Sequence, residues 1–232
     1  EKSESLGGQF VLAGAISAKK DFKNAVNKMI LDVQESGIEV HLNTVVTKEM
    51  IEEIKPDALI VAIGSSPFVL SIEGSERAIV AHDVLSEKVE VPGENVVIIG
   101  GGLVGFETAE FLAARQKKVT VLEMKEKALQ DVGPLRQITA QFAMAQMPIT
   151  IETSATVERI EDHAVVASGK EYPCDSVIMA VGSKANDTSM YADLGIPTYI
   201  IGDCKKAGVA LDAFKDAYHA VVFRGLLLHQ LA

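Results

Sequence analysis

Residues 96–123, VVIIGGGLVGFETAEFLAARQKKVTVLE, constrain the fold more than any other stretch of the chain. Val96, Val97, Ile98 and Ile99 form an apolar run with no polar position. That is the pattern of a strand buried on both faces of a parallel sheet. Gly100, Gly102 and Gly105 follow in G-x-G-x-x-G spacing. A helical run and a second strand over 119–122 come next, and Glu123 ends that strand. Strand, glycines, helix, strand and terminal acid in this order make a βαβ unit suited to a dinucleotide. Gly100 permits the tight turn out of the strand, Gly102 lets a pyrophosphate approach the backbone, and Gly105 lets the helix pack close. The helix start offers N–H groups and the positive end of its dipole to phosphate. The candidate contacts are Gly100, Gly101, Gly102, Leu103, Val104 and Gly105, with Glu123, Met124 and Lys125 at the tip of the second strand. Glu123 is placed to accept from a ribose 2′-hydroxyl. A 2′-phosphate would meet its carboxylate, which favours NAD(H) over NADP(H). Lys125 and Lys127 lie just beyond; they either approach such a phosphate or form a solvated surface pair.

The 232 residues allow one large domain or two small ones. The formal charge of −10 and the lack of a basic run exclude a nucleic-acid surface, whose affinity rests on neutralising phosphates. No apolar run approaches the length of a membrane span, and the first ten residues do not read as a signal peptide, so a cytoplasmic protein is expected. Cys174 and Cys204 make no C-x-x-C, which argues against a redox disulfide or a zinc site and for two idle thiols. His41, His82, His163, His219 and His229 show no metal spacing, and His82 reads as a helix-start residue. No Ser/His/Asp or Cys/His set supports hydrolysis.

The remaining segments alternate strand and helix. A helix is expected from Asp21, as cap, to Gly37, with Phe22, Val26, Met29, Ile30 and Val33 on its apolar face. Strands are expected over 38–42, 58–63, 148–152, 176–181 and 198–201, and helices over 47–54, 81–88, 134–147 and 211–229. Residues 156–160 and 164–168 read as a small antiparallel hairpin or meander. Phe214, Tyr218, Val221 and Val222 are expected in the core. The fold class is α/β with a parallel sheet. A βαβ unit in mid-chain, with strands on either side, indicates one domain inserted into another. Two strand ends echo each other, LIVAIGSSP near residue 60 and VIMAVGSKA near residue 180. Their glycines, Gly64 and Gly182, are either nucleotide-side crossings or plain turns.

Taken together, these residues resemble the C-terminal FAD/NAD(P)-binding module of NADH:flavin oxidoreductases of the 2,4-dienoyl-CoA reductase, 2-enoate reductase and trimethylamine dehydrogenase group. The resemblance covers nearly the whole chain. Glu1-Lys2 with Leu6-Gly7-Gly8-Gln9 is similar to the motif after the second strand of that family's flavin domain. Ala62-Ile63-Gly64 resembles the strand end before its nucleotide domain. GGGLVGFETAEFLA at 100–113 fits G-G-G-x-x-G-x-E-x-A-x-x-L-A, and Ile201-Gly202-Asp203 resembles the second flavin fingerprint.

The resemblance implies two nested Rossmann-like three-layer domains, with FAD held in the intact protein by Glu1, Gly8, Gln9, Ala62, Gly64, Gly202 and Asp203. Residues 1–90 and 191–232 would form the flavin domain, truncated at its N-terminus, and 91–190 the inserted NAD(P)H domain. Glu107 would lie toward the nicotinamide. Hydride would pass from NADH or NADPH to FAD and onward to a barrel region, absent from this chain, that carries FMN and an iron–sulfur cluster. The family's first strand and phosphate cradle, about 25–30 residues ahead of Glu1, are absent too. A piece of a longer protein is therefore expected, one that exposes apolar surface and self-associates unless a partner covers it. The alternative is a non-catalytic ADP- or NAD-binding module. A disulfide reductase is disfavoured by the missing C-x-x-C, and a pure interaction domain is separated from both by nucleotide binding.

Overall fold

A computed structural model describes residues 1–16, 19–130 and 132–223. The first half of the chain forms α1 (Gly8–Leu12), α2 (Lys20–Glu35), α3 (Lys48–Ile54), β1 (Leu59–Val61), β2 (Ser65–Pro67), β3 (Ile79–Val80) and α4 (Ala81–Leu85). Next come β4 (Asn95–Ile99), α5 (Leu103–Ala113), β5 (Lys118–Leu122), α6 (Pro134–Met144) and β6 (Ile149–Glu152). The remainder is β7 (Val157–Ile160), β8 (Ala164–Ala167), β9 (Lys170–Pro173), β10 (Ser176–Met179), β11 (Ser183–Ala185), β12 (Thr198–Ile200) and α7 (Ala210–Tyr218). These elements fall into two compact units. One holds residues 1–10, 27–66 and 183 onward; the other holds 11–26 and 67–182.

The central unit is built on a five-stranded parallel sheet in the order β3-β10-β4-β5-β6. Its middle strand shows why the sequence reads as continuous apolar residue. Val96 and Ile98 enter a core with Phe106, Leu112 and Met144 from the helices, while Val97 and Ile99 enter a second core with Ile160, Val165 and Val177. Both faces are covered, so neither parity of the strand tolerates a polar residue. The second face is closed by an antiparallel sheet, β7-β8-β9. The expected hairpin is its first two strands. Its third, KEYP at 170–173, carries too little apolar alternation to stand out in the sequence. The expected boundary between 90 and 91 also differs from the division into units, which falls at 66/67. The cause is Ile79–Val80, which pairs in parallel with Ile178–Met179 and draws 67–90 into the central unit.

The other unit contains the parallel pair β1-β12, the pair β2-β11 and α3. Its core is Ile51, Val61, Tyr191 and Cys204. Thr47 caps α3 by accepting from the Met50 N–H, and Lys55 ends it in a left-handed conformation.

Several local expectations are corrected. Residues 38–42 form no strand; the backbone just after them takes Glu1 and Ser3 as partners, through Thr44 N–H to Glu1 O and Asn43 N–H to Ser3 O, each 2.9 Å. Asp21 lies in the first turn of α2 rather than at its cap. Of that helix's apolar face only Val26 is fully buried, and Phe22 and Met29 are exposed. Phe214, Tyr218 and Val221 are exposed rather than core, because helical spacing defines an apolar side without supplying what covers it. Residues 224–229 of the expected last helix lie outside the described residues. His82 is the second residue of α4, whose cap is Val80; its burial lowers the imidazole pKa against the pull of Asp83.

Candidate nucleotide-binding sites

The glycine turn sits between the carboxyl end of β4 and the start of α5. Strand order reverses here, with β10 on one side of β4 and β5 on the other, and open α/β sheets bind ligands at such a point. Gly100 has φ +111°, and a Cβ on it would meet the Ala180 carbonyl oxygen at 2.3 Å. A Cβ on Gly105 would meet the Gly100 carbonyl oxygen at 2.0 Å. The first and third glycines thus form one contact, in which α5 is pressed onto the turn that starts it. Gly102 is the helix N-cap in an extended conformation, with no side chain to cap the helix. The positive end of the α5 dipole lies at this turn, at Gly102, Leu103 and Val104.

Glu123 is buried and clasps the turn. Its Oε2 accepts from the Gly101 N–H and its Oε1 from the Lys125 N–H, both at 2.8 Å. A Cβ on Gly101 would lie 2.8 Å from the Glu123 Cβ, so the second glycine of the GGG run is required by the acid beside it. Each carboxylate oxygen retains a lone pair for a hydroxyl donor. Met124 and Lys125 are exposed beyond it. Gly182, φ +103°, faces open space, and residues 180–182 leave β10 next to Gly100, where the Ala180 N–H donates to Ile99 O at 2.8 Å.

Glu107, one turn into α5, is buried and ion-paired with Lys19. The pair was not legible in the sequence, since Lys19 is 88 positions away. Cys174 is buried, which raises its thiol pKa to about 11 and keeps it unreactive near neutrality.

In the other unit three separated motifs meet. Gln9 Nε2 donates to Ser65 O at 2.6 Å and to Ser65 Oγ at 3.1 Å, and Ser65 Oγ donates to Asp203 Oδ2 at 3.0 Å. Gly64 adjoins them, with φ +70° and Gln9 Nε2 3.9 Å from its Cβ position. Gly202, φ +65°, precedes Asp203, and its N–H donates to Asp216 Oδ2 at 3.1 Å. Asp216 is held well below the usual carboxylate range by Lys205 and that N–H. Ser65 is the functional candidate that sequence reasoning passed over, although it directly follows Gly64. Gly8 is left-handed at φ +49° with open space at its Cβ, and Ala62 is exposed. Glu1 stands apart from this cluster: its Oε1 accepts from Ser3 N–H at 2.7 Å, which lowers its pKa.

The family model described as pyridine nucleotide-disulphide oxidoreductase matches residues 3–205. The chain belongs to this family. It is 35% identical to cinnamate reductase of Clostridium sporogenes over 94% of its own length and 34% of that protein's. It is 32% identical to NADH oxidase of Thermoanaerobacter brockii, over 94% of the chain and 36% of the relative. Among solved structures, a 2-naphthoyl-CoA reductase complex superposes with a TM-score of 0.86 at 32% identity, over 94% of this chain and 34% of that one. Histamine dehydrogenase from Rhizobium shares the fold, with a TM-score of 0.76 at 17% identity. The chain thus spans about a third of the length of these relatives. It is the flavoprotein module of this oxidoreductase family, whose members bind FAD and NAD(P)H. The glycine turn at the start of α5 fits a dinucleotide phosphate, and the left-handed glycines around Gln9, Ser65 and Asp203 fit a second one.

Proposed function

We propose that the central unit binds NADH, that the other unit binds FAD, and that hydride passes from the first to the second. The observation that carries this reading is the clasp of Gly101 and Lys125 by Glu123 at the mouth of the glycine turn. Gly100 to Gly105 would hold the pyrophosphate, and Glu123 would accept from the adenosine ribose with Met124 and Lys125 beside it. Gly182 would leave room for chain-side contact, and Glu107 would lie toward the nicotinamide. A 2′-phosphate would bring further negative charge against Glu123, so NADH is preferred to NADPH. Asp203, Gln9, Gly8, Gly64, Ala62 and Gly202 would hold the flavin side, with Glu1 at its adenosine ribose. When bound, the nicotinamide supplies hydride and the isoalloxazine accepts it. The residues of this chain orient and enclose; no acid–base group is required of them.

Electrons would then leave for a further region of the protein that carries FMN and an iron–sulfur cluster. The relatives named cinnamate reductase and 2-naphthoyl-CoA reductase support an unsaturated acid or thioester as the final acceptor class. Among the described residues no helix is long and apolar enough to cross a membrane; a cytoplasmic location accords with this.

Calorimetric titration with NADH and FAD separately, followed by anaerobic addition of NADH to the FAD-loaded chain, tests the reading. Saturable binding of both and bleaching of the flavin are expected. Binding of NADH without bleaching would make the chain a non-catalytic nucleotide module, and no NADH binding would remove the reading altogether.

A further inference from the structure

The central unit buries a cluster of charges beside the glycine turn. Glu107 and Glu110 stand one turn apart on α5, 6% and 7% exposed. Lys19 is paired with Glu107. Arg136, in the first turn of α6, brings Nη2 to 3.9 Å from Glu107 Oε1 and to 3.9 Å from Glu110 Oε2. Its Nε and Nη2 are buried and make no hydrogen bond among the described residues. Two cations therefore face two carboxylates, but unevenly. Glu107 has a cation in contact. Among the described residues Glu110 has no cation in contact; Arg136 is the nearer one, at 3.9 Å and beyond hydrogen-bond length. Arg136 is half-buried, but Nε and Nη2 are the nitrogens turned inward, and a guanidinium with two unused donor nitrogens midway between two acceptors gains by closing on either one.

We propose that Arg136 and Glu110 are positioning residues for Glu107: the side to which Arg136 closes decides whether Glu107 serves Lys19 alone or is shared between two cations. This rests on the reading of α5 as the helix that receives the nicotinamide. With Glu110 ionised, its charge draws Arg136 outward along the helix and leaves Glu107 to Lys19. With Glu110 protonated that attraction ends, Arg136 turns to Glu107, and the Lys19 pair loosens. The charges acting on Glu110 are Arg136 from α6, Glu107 on its own helix and Lys19 from the segment before α2; α4, which also packs on α5, contributes none among the described residues. Burial raises the Glu110 pKa and Glu107 adds to this, while Arg136 and Lys19 oppose it, so the switch lies above the ordinary glutamate range.

The test follows the Lys19 ammonium nitrogen and the glutamate carboxyl carbons of the labelled chain by NMR across pH. In the unaltered chain the Lys19 signal is expected to move with the titration of Glu110. In Glu110→Gln the step disappears and the signal stays at its low-pH position throughout. In Arg136→Met the step also disappears, but the signal stays at its high-pH position; Arg136→Lys restores the step. A purely structural role would not send the two variants to opposite ends. A Lys19 signal that ignores Glu110, or two variants that coincide, would overturn the proposal. Calorimetry with NADH is expected to show affinity falling about fivefold as pH drops through the same step, and no step in Glu110→Gln. If NADH fails to bind while the NMR step is present, the nucleotide reading falls and with it the role assigned to the switch. If NADH binds with a flat profile and Lys19 is unresponsive, only the switch falls.

Discussion

Gly105 is set by the atom opposite it. The Gly100 carbonyl oxygen lies 2.0 Å from where a Cβ would stand, and that oxygen belongs to backbone that cannot step aside cheaply. Gly105→Ala is expected to lift α5 from its turn, at a cost of about 1–3 kcal/mol. NADH binding is lost and FAD binding kept, as melting temperature and calorimetry would show. Gly133→Ala is the control. It has an ordinary φ of −65° and nothing within 4 Å of its Cβ position, and should leave both ligands unaffected. Glu123 makes a second residue-scale case. Glu123→Gln sets an amide NH2 against one of the two backbone N–H groups that the carboxylate now satisfies, so about 1–3 kcal/mol of stability should go. The same change removes the charge that a 2′-phosphate would face, so the ratio of NADPH to NADH affinity should rise in paired titrations. An unchanged ratio would mean that Glu123 does not face the ribose. The position of this acid was legible in the sequence, because strand periodicity ends at Leu122. The destination of its oxygens was not, because the loop conformation that brings Gly101 and Lys125 to it has no period to read.

At the scale of elements, the sheet was legible where both faces are buried. Strands β4 and β10 announce themselves as unbroken apolar runs because each parity of the strand enters a different core. Helices are read less completely. The spacing of Phe214, Tyr218 and Val221 predicts an apolar side to the last helix, and the structure leaves these side chains exposed in α7 and just beyond it. Charge clusters such as Lys19, Glu107, Glu110 and Arg136 were illegible for a related reason: each residue is ordinary in its own element, and only packing joins them. The junction of β4 and β10 carries its own prediction. Asp175 Oδ2 accepts from the Glu94 N–H at 2.9 Å and the Asn95 N–H at 2.8 Å, and the Asp175 N–H donates to Asn95 O at 2.8 Å. These amides hold its carboxyl well below the usual aspartate range. A depressed folded pKa means that the contribution is complete above the ordinary aspartate pKa and lost as pH falls through the folded value. Asp175→Ala should therefore speed amide exchange at Glu94 and Asn95 near neutrality, and lose that difference from the unaltered chain in strong acid. Equal protection at neutral pH would show that the backbone pairing alone holds the junction.

The described residues form three cores that share no residue, two on the faces of the central sheet and a smaller one in the other unit. The central unit buries side chains on both faces of its five-stranded sheet. The other unit rests on Ile51, Val61, Tyr191 and Cys204 and leaves Ile38, Val45, Ile54, Leu211 and Phe214 in solvent. Stability follows buried apolar area, so the second unit should open first. Its exposed side chains should also drive self-association, seen as a rise of scattering mass with concentration. Calorimetric unfolding is expected in two steps. A ligand that binds only one folded unit raises only that unit's step, by about 2.7 kcal/mol at a hundredfold excess over its dissociation constant. On the function proposed above, NADH raises the upper step and FAD the lower. Each ligand thus reports on its own site without any turnover. One transition raised by both ligands would instead show that the two units unfold together, and NADH acting on the lower step would reverse the assignment of the two nucleotides.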